Sequence, residues 1–259
     1  MRWLQTVAVA FSMFSRIPMP RVEWNERNMR YMTCMFPLVG AASGLLLWGW
    51  QWFAGVLRFG NLLNSAGFVL IPVLVTGGIH LDGFCDTVDA LSSHAPREKK
   101  LEILKDPHTG AFAAIGVVCY FLLYFSLCAE LDKSADVVFL LGCGFVLERI
   151  LSGLSVLLFP KAKRDGLVKT FEEAAAARKG AVILFVQLAV IITVVIMGSP
   201  LYGTVLCVAS GLVYGWYYWL SKRQFGGITG DLAGWFLQVC EIVLLAALVL
   251  AQKICEVGL

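Results

Sequence analysis

The chain has 259 residues, 59% of them hydrophobic and 15% charged, with a mean hydropathy of +0.77 and a formal net charge of +3. Soluble domains run nearer to about 45–50% apolar and about 25% charged, so a water-soluble globule is excluded as the first expectation, and so small a net charge gives no reason to invoke nucleic acid. Eight scattered cysteines, with no Cys-x-x-Cys pair among them, read as reduced packing residues and not as a disulfide or metal framework.

At the N-terminus, Met1-Arg2 precedes an uncharged run from Trp3 to Ser15 that imitates a signal peptide. The part before Ala8-Val9-Ala10 is too short for a normal hydrophobic region, and the whole run is too short to span a bilayer. It is therefore expected to be retained as an interfacial or re-entrant helix, ended by Arg16-Ile17-Pro18-Met19-Pro20.

No formal charge occurs between Arg30 and Arg58, between Arg58 and Asp82, or between Asp106 and Glu130, and each gap holds one span. Phe36-Pro37 is expected to open the first of them. The longer gap between Lys179 and Lys222 holds two, separated at Gly198-Ser199-Pro200. Two further apolar stretches carry only Glu148-Arg149 and Glu241. The expectation is a single all-α polytopic bundle over residues 1–259 with about seven spans, at 34–57, 60–80, 110–129, 136–158, 180–198, 201–220 and 232–251. The absence of short alternating segments argues against a barrel.

Lysine and arginine crowd the N-terminal segment and the loops 81–109, 159–179 and 221–231, leaving Arg58, Lys133 and Lys253 for the opposite side. Basic loops stay on the cytoplasmic side, which places the N-terminus and every long polar loop there, in the cytoplasmic (inner) membrane of the cell.

The first long loop opens with Gly77-Gly78-Ile79-His80-Leu81-Asp82-Gly83-Phe84-Cys85-Asp86-Thr87-Val88-Asp89. In a helix, Asp82, Asp86 and Asp89 fall at i, i+4 and i+7 on one face. Such a face suits a divalent cation shared with substrate phosphates, Mg²⁺ above all. The plainer reading, an N-cap and solvated acids at a helix start, stays open. Apolar residues between the acids and the glycine pair before them favour the metal.

Farther on, Lys105-Asp106-Pro107-His108 can neutralise a phosphate through Lys105 and supply a base or ligand through Asp106, whereas Arg97, Lys99 and Lys100 read as an ordinary positive-inside run. His80 and His108 show no zinc-like spacing and each alone reads as a packed or capping histidine. Gly226-Gly227-Ile228-Thr229-Gly230-Asp231 precedes the last span. Its glycine amides can cradle a phosphate and Asp231 can serve a metal, or Asp231 is simply a cap. Glu148, Arg149 and Glu241 read as paired charges within spans, with Arg149 also able to reach the inner face above Ser152.

Ser15-Arg16-Ile17-Pro18, Phe36-Pro37 with Gly40 and Gly44, GGIHLDGFCDTVDAL, LEILKDPHTG and GGITGD together resemble cobalamin synthase, the adenosylcobinamide-GDP ribazoletransferase family, over essentially the whole chain. The resemblance implies a Mg²⁺-dependent membrane transferase that joins adenosylcobinamide-GDP to α-ribazole, or its 5′-phosphate, and releases GMP. It implies catalytic roles for Asp82, Asp86, Asp89, Lys105 and Asp106, and substrate contacts from Arg16, His80, Arg149, Gly226, Gly227 and Thr229. Asp82, Asp86, Asp89 and Asp231 are the implied metal ligands. Ala90 and Leu232-Ala233 depart from the family's pattern without touching the acids. A CDP-alcohol phosphotransferase is the nearest rival, but its Asp-Gly-x-x-Ala-Arg run is replaced here by Phe84-Cys85-Asp86. A cation-coupled transporter would place its acids at the bilayer midplane. Partner enzymes of the same pathway and a homo-oligomer are compatible with the sequence.

Overall fold

The computed structural model describes residues 2–162 and 177–258. Lys163, Arg164 and Lys169, part of the expected basic loop, lie outside the described residues. The helices are α1 (Arg2–Phe14), α2 (Glu26–Met29), α3 (Met32–Val56), α4 (Asn61–Thr76), α5 (Ile79–Ser92), α6 (Arg97–Ile103), α7 (Ala111–Glu130), α8 (Ala135–Leu158), α9 (Ala177–Gly198), α10 (Pro200–Leu220) and α11 (Gly230–Val257). A π turn, Ser221–Phe225, follows α10 directly. Among the described residues the one strand-like pairing is a bridge between Lys161 and Ile228.

The chain is a multi-pass membrane protein. Five helices, α3, α7, α8, α9 and α11, are long and apolar enough to cross a bilayer, and α4 with α5 makes a sixth crossing if the bent pair is taken as one. Helices occupy all seven expected positions. However, α10, at 21 residues, falls short in hydropathy because Gly, Ser, Thr, Tyr and Trp dilute its apolar residues. The expected span 60–80 is two helices meeting at 94°. Gly77 (φ +64°) and Gly78 (φ +79°) form the break in left-handed conformations that suit glycine. Pro37 is a second correction: α3 begins at Met32, so this proline sits inside the helix instead of opening it.

Helix α8 forms the centre. In its most apolar stretch 83% of residues are buried, and in that of α11 72%, against 22% in α7 and α9, which face outward. The α3–α8 crossing is close because small residues meet there: a Cβ on Gly44 would lie 2.8 Å from Gly142 Cα, and one on Gly40 2.4 Å from the Phe145 carbonyl oxygen. Without a hydrophobic driving force between helices in lipid, such backbone approach supplies the packing.

Hydrogen bonds sort the connections into two ends. At one, Arg16 N donates to Val75 O, Lys100 Nζ to Gln224 Oε1, and Ile228 N to Pro160 O. At the other, Asn61 Nδ2 donates to Ala129 O, Lys133 Nζ to Asn61 Oδ1, and Asp132 N to Gln252 Oε1. The loops expected on one side of the membrane therefore do share one end of the bundle, as far as they are described.

Candidate active site

Helix α5 starts immediately after the double-glycine break. Gly77 has no room for a side chain because the aliphatic part of Arg16 lies where its Cβ would be, at 2.2 Å. Arg16, exposed itself, is thereby held over the start of α5. From there α5 runs between α7 and the first turns of α11. Gly83 lets it touch Asp231, whose carbonyl oxygen would sit 2.6 Å from a Cβ at that position, and a Cβ on Gly234 would lie 3.1 Å from the His80 carbonyl oxygen.

That close crossing brings acids from two helices together. The negative charges of Asp82, Asp231 and Asp89 all act on the Asp86 carboxyl, and Asp82 acts on Asp231. Asp82 is exposed while Asp86 and Asp231 are half-buried. Asp89 is committed differently. Its two oxygens accept from Gly110 N at 2.7 Å and Ala113 N at 2.8 Å, so it closes the N-terminus of α7, 21 residues away in sequence.

Among the described residues, no three His, Cys, Asp or Glu side chains already stand at distances that would hold a metal ion. The donor chemistry nevertheless fits a hard divalent cation. Asp82, Asp86 and Asp231 are oxygen donors in mutual repulsion, and Mg²⁺ takes only one or two protein carboxylates alongside waters and phosphates.

Thr229, and not Asp231, is the N-cap of α11: its Oγ1 accepts from Leu232 N at 3.2 Å. Two glycine amides of the expected cradle are engaged within the fold. Gly226 N donates to Lys222 O, Gly227 N to Ser221 O and Ile228 N to Pro160 O. The segment needs its glycines for positive φ at Gly226 (+75°) and Gly227 (+154°), and for close approach to Lys161 and to the Arg97 guanidinium.

Lys105 and Asp106 follow α6 in an exposed turn. Asp106 Oδ1 accepts from His108 N at 3.0 Å and lies 2.7 Å from His108 Nδ1. The backbone N–H of His108, more than its ring, holds the Asp106 carboxyl below the usual carboxylate range. Among the described residues, no hydrogen bond joins Lys105 or Asp106 to the acids of α5.

Two residues read as mere positive-inside charge belong to the site's frame. Lys100 is buried and bonded to Gln224 at 2.6 Å, and Arg97 lies against Gly226, so α6 docks onto the turn that leads to Asp231. Nothing in their spacing announces this. Arg149 is 1% exposed, its Nη1 is 2.6 Å from Glu148 Oε1, and its guanidinium lies over the ring of Phe36, a wall of the cavity described below. Glu241 is likewise buried, accepting from Tyr124 Oη at 2.7 Å.

Beside the acids a cavity of about 190 Å³ opens, walled by α1, α3, α5, α8 and α11. Asp82 and Asp231 line it together with His80, Thr33 and Ser152, and the rest is apolar. The assembly can hold a cation at two converging carboxylate helices, present Arg16 and Arg97 nearby, and bury an apolar group alongside.

The cobalamin-5-phosphate synthase family model matches residues 6–249. A protein of Lachnoclostridium phytofermentans described as adenosylcobinamide-GDP ribazoletransferase is 42% identical over 258 residues, covering 100% of this chain and 98% of its own. Relatives of the same description from Clostridium botulinum and Geobacillus thermodenitrificans are 33% and 32% identical, each over 91% of this chain and over 93% and 92% of their own. No solved structure matches. The chain belongs to the cobalamin-5-phosphate synthase (CobS) family.

Proposed function

We propose that this protein is an adenosylcobinamide-GDP ribazoletransferase of cobalamin biosynthesis. It joins adenosylcobinamide-GDP to α-ribazole, or its 5′-phosphate, with Mg²⁺ as cofactor, at the cytoplasmic face of the cell membrane. The supporting observation is the meeting of Asp82 and Asp86 on α5 with Asp231 on α11, in a chain whose full-length relatives carry that name. The concentration of basic residues at the site end supports the orientation.

In the reaction, the ribose 3′-hydroxyl oxygen of ribazole, free in both α-ribazole and its 5′-phosphate, bonds to the phosphorus attached to cobinamide. The bond from that phosphorus to the GMP oxygen breaks, GMP leaves with the electron pair, and the hydroxyl proton passes to a base. Asp82 and Asp86 are the carboxylates that would hold the cation, and when bound it would supply positive charge to the diphosphate. Asp231 shares the cavity wall with Asp82, and it orients the attacking hydroxyl and takes its proton. Arg16 and Lys105 face the phosphates from the exposed rim, where guanidinium and ammonium donors suit them. Asp89 positions α5 against α7, and Gly226, Gly227 and Thr229 shape the start of α11.

The test is turnover by the purified protein in lipid vesicles supplied with adenosylcobinamide-GDP, α-ribazole and Mg²⁺. GMP and a nucleotide-bearing corrinoid are expected. No corrinoid product under these conditions would overturn the proposal.

A further inference from the structure

The phosphate chemistry leaves the cavity beside the acids without a use. Its volume of about 190 Å³ is below the roughly 300 Å³ at which pockets begin to take drug-sized ligands. A corrin ring is therefore too large, while a flat two-ring group fits. Phe14 and Phe36 stand on one side and Leu237 and Val156 on others. Two of its buried polar atoms, His80 Nε2 and Thr33 Oγ1, have no hydrogen-bond partner, and His80 is 6% exposed. The ring is fixed, stacked on Phe14 with centroids 6.5 Å apart and edge-on to Phe36 at 5.6 Å. Leaving a buried polar atom unpaired costs about 1–3 kcal/mol, and a ligand that reaches it removes that cost.

Resting on the function proposed above, we infer that this cavity is the acceptor's base pocket, taking the dimethyl-substituted benzimidazole of α-ribazole. His80 Nε2 donates to the one ring nitrogen not bonded to ribose, and the aromatic and aliphatic walls cover the ring and its methyl groups. Asp82 and Asp231 line the same cavity, so a base seated there delivers its ribose to the acids, which is the order the transfer requires.

Two measurements in vesicles test the assignment. The first is binding of free 5,6-dimethylbenzimidazole to the wild-type protein, followed by the fluorescence of the base, together with its inhibition pattern. Binding and competition with α-ribazole, but not with adenosylcobinamide-GDP, are expected; no binding, or competition with the corrinoid, overturns the pocket. The second compares His80→Ala, His80→Gln and Ala233→Leu. Loss of the nitrogen in His80→Ala raises the KM for α-ribazole about tenfold, His80→Gln raises it less because the amide still donates, and Ala233→Leu raises it by filling the space. In all three the KM for adenosylcobinamide-GDP stays at the wild-type value, which also shows that the variants are folded. A changed corrinoid KM with an unchanged ribazole KM overturns the inference while leaving the transferase reading intact. Base binding by a wild-type protein that makes no corrinoid product overturns the transferase reading alone.

Discussion

At the residue scale, the three acids of α5 share a helical face but not a task. Asp82 is exposed beside Asp86 and Asp231, with little packing to lose. Asp82→Asn is therefore expected to lower turnover by about 100-fold or more with an unchanged elution profile and melting temperature. Near-normal turnover would remove Asp82 from the chemistry. Asp89 holds two amides of α7, so Asp89→Ala is expected to cost about 1 kcal/mol in stability, as loss of an N-cap does. Asp89→Asn should cost less, because one amide oxygen still accepts. Thermal unfolding in detergent checks this, and equal melting temperatures for wild type and Asp89→Ala would contradict it. The i, i+4, i+7 spacing made the shared face legible in sequence. Which partner each acid takes was not, because Gly110 and Asp231 reach α5 only through tertiary packing.

At the element scale, charge-free gaps bounded by arginine and aspartate revealed where helices lie, since lipid tolerates few unpaired charges. They could not reveal that Gly77 and Gly78 turn α4 into α5 through 94°. A glycine pair reads equally well as the start of a loop, and the Arg16 contact that fills the space over Gly77 comes from the segment that follows α1. Nor could the glycine-rich segment before α11 reveal that the amides of Gly226 and Gly227 bond to the π turn and that of Ile228 to Pro160. The α3–α8 crossing makes a sharper demand. Gly40→Leu would drive a side chain into the Phe145 backbone, and overpacking of this kind costs about 1–3 kcal/mol. A lower melting temperature for Gly40→Leu, with Gly49→Leu unchanged because its Cβ would meet nothing within 4 Å, is the expected pair of results. Equal effects at the two positions would show that the crossing is not tight.

At the scale of the whole molecule, a buried ion pair stands at the centre of the bundle, Glu148 with Arg149, each side chain 1% exposed. The sequence showed these charges to be costly in a span and hence paired. It left open whether Arg149 faced a ligand, since a single turn of helix separates the two outcomes. Removing one partner from a buried pair leaves an uncompensated charge and typically costs about 3–5 kcal/mol. Arg149→Leu is expected to fall in that range by thermal unfolding, and Arg149→Leu with Glu148→Gln to recover much of it. A double variant no more stable than the single would contradict the pairing. The arrangement of the two ends rests on the same logic of cost. Hydrogen bonds gather the loops around α5, α6 and the start of α11 at one end, where Asp82, Asp86 and Asp231 meet beside a cavity that opens to them. The claim that this end performs a transfer, not a hydrolysis, is tested most directly by measuring GMP release in vesicles with and without α-ribazole. The account predicts GMP in equal amount to the nucleotide-bearing corrinoid when both substrates and Mg²⁺ are present, and none when α-ribazole is withheld. GMP released without α-ribazole, or without a matching corrinoid product, would contradict it.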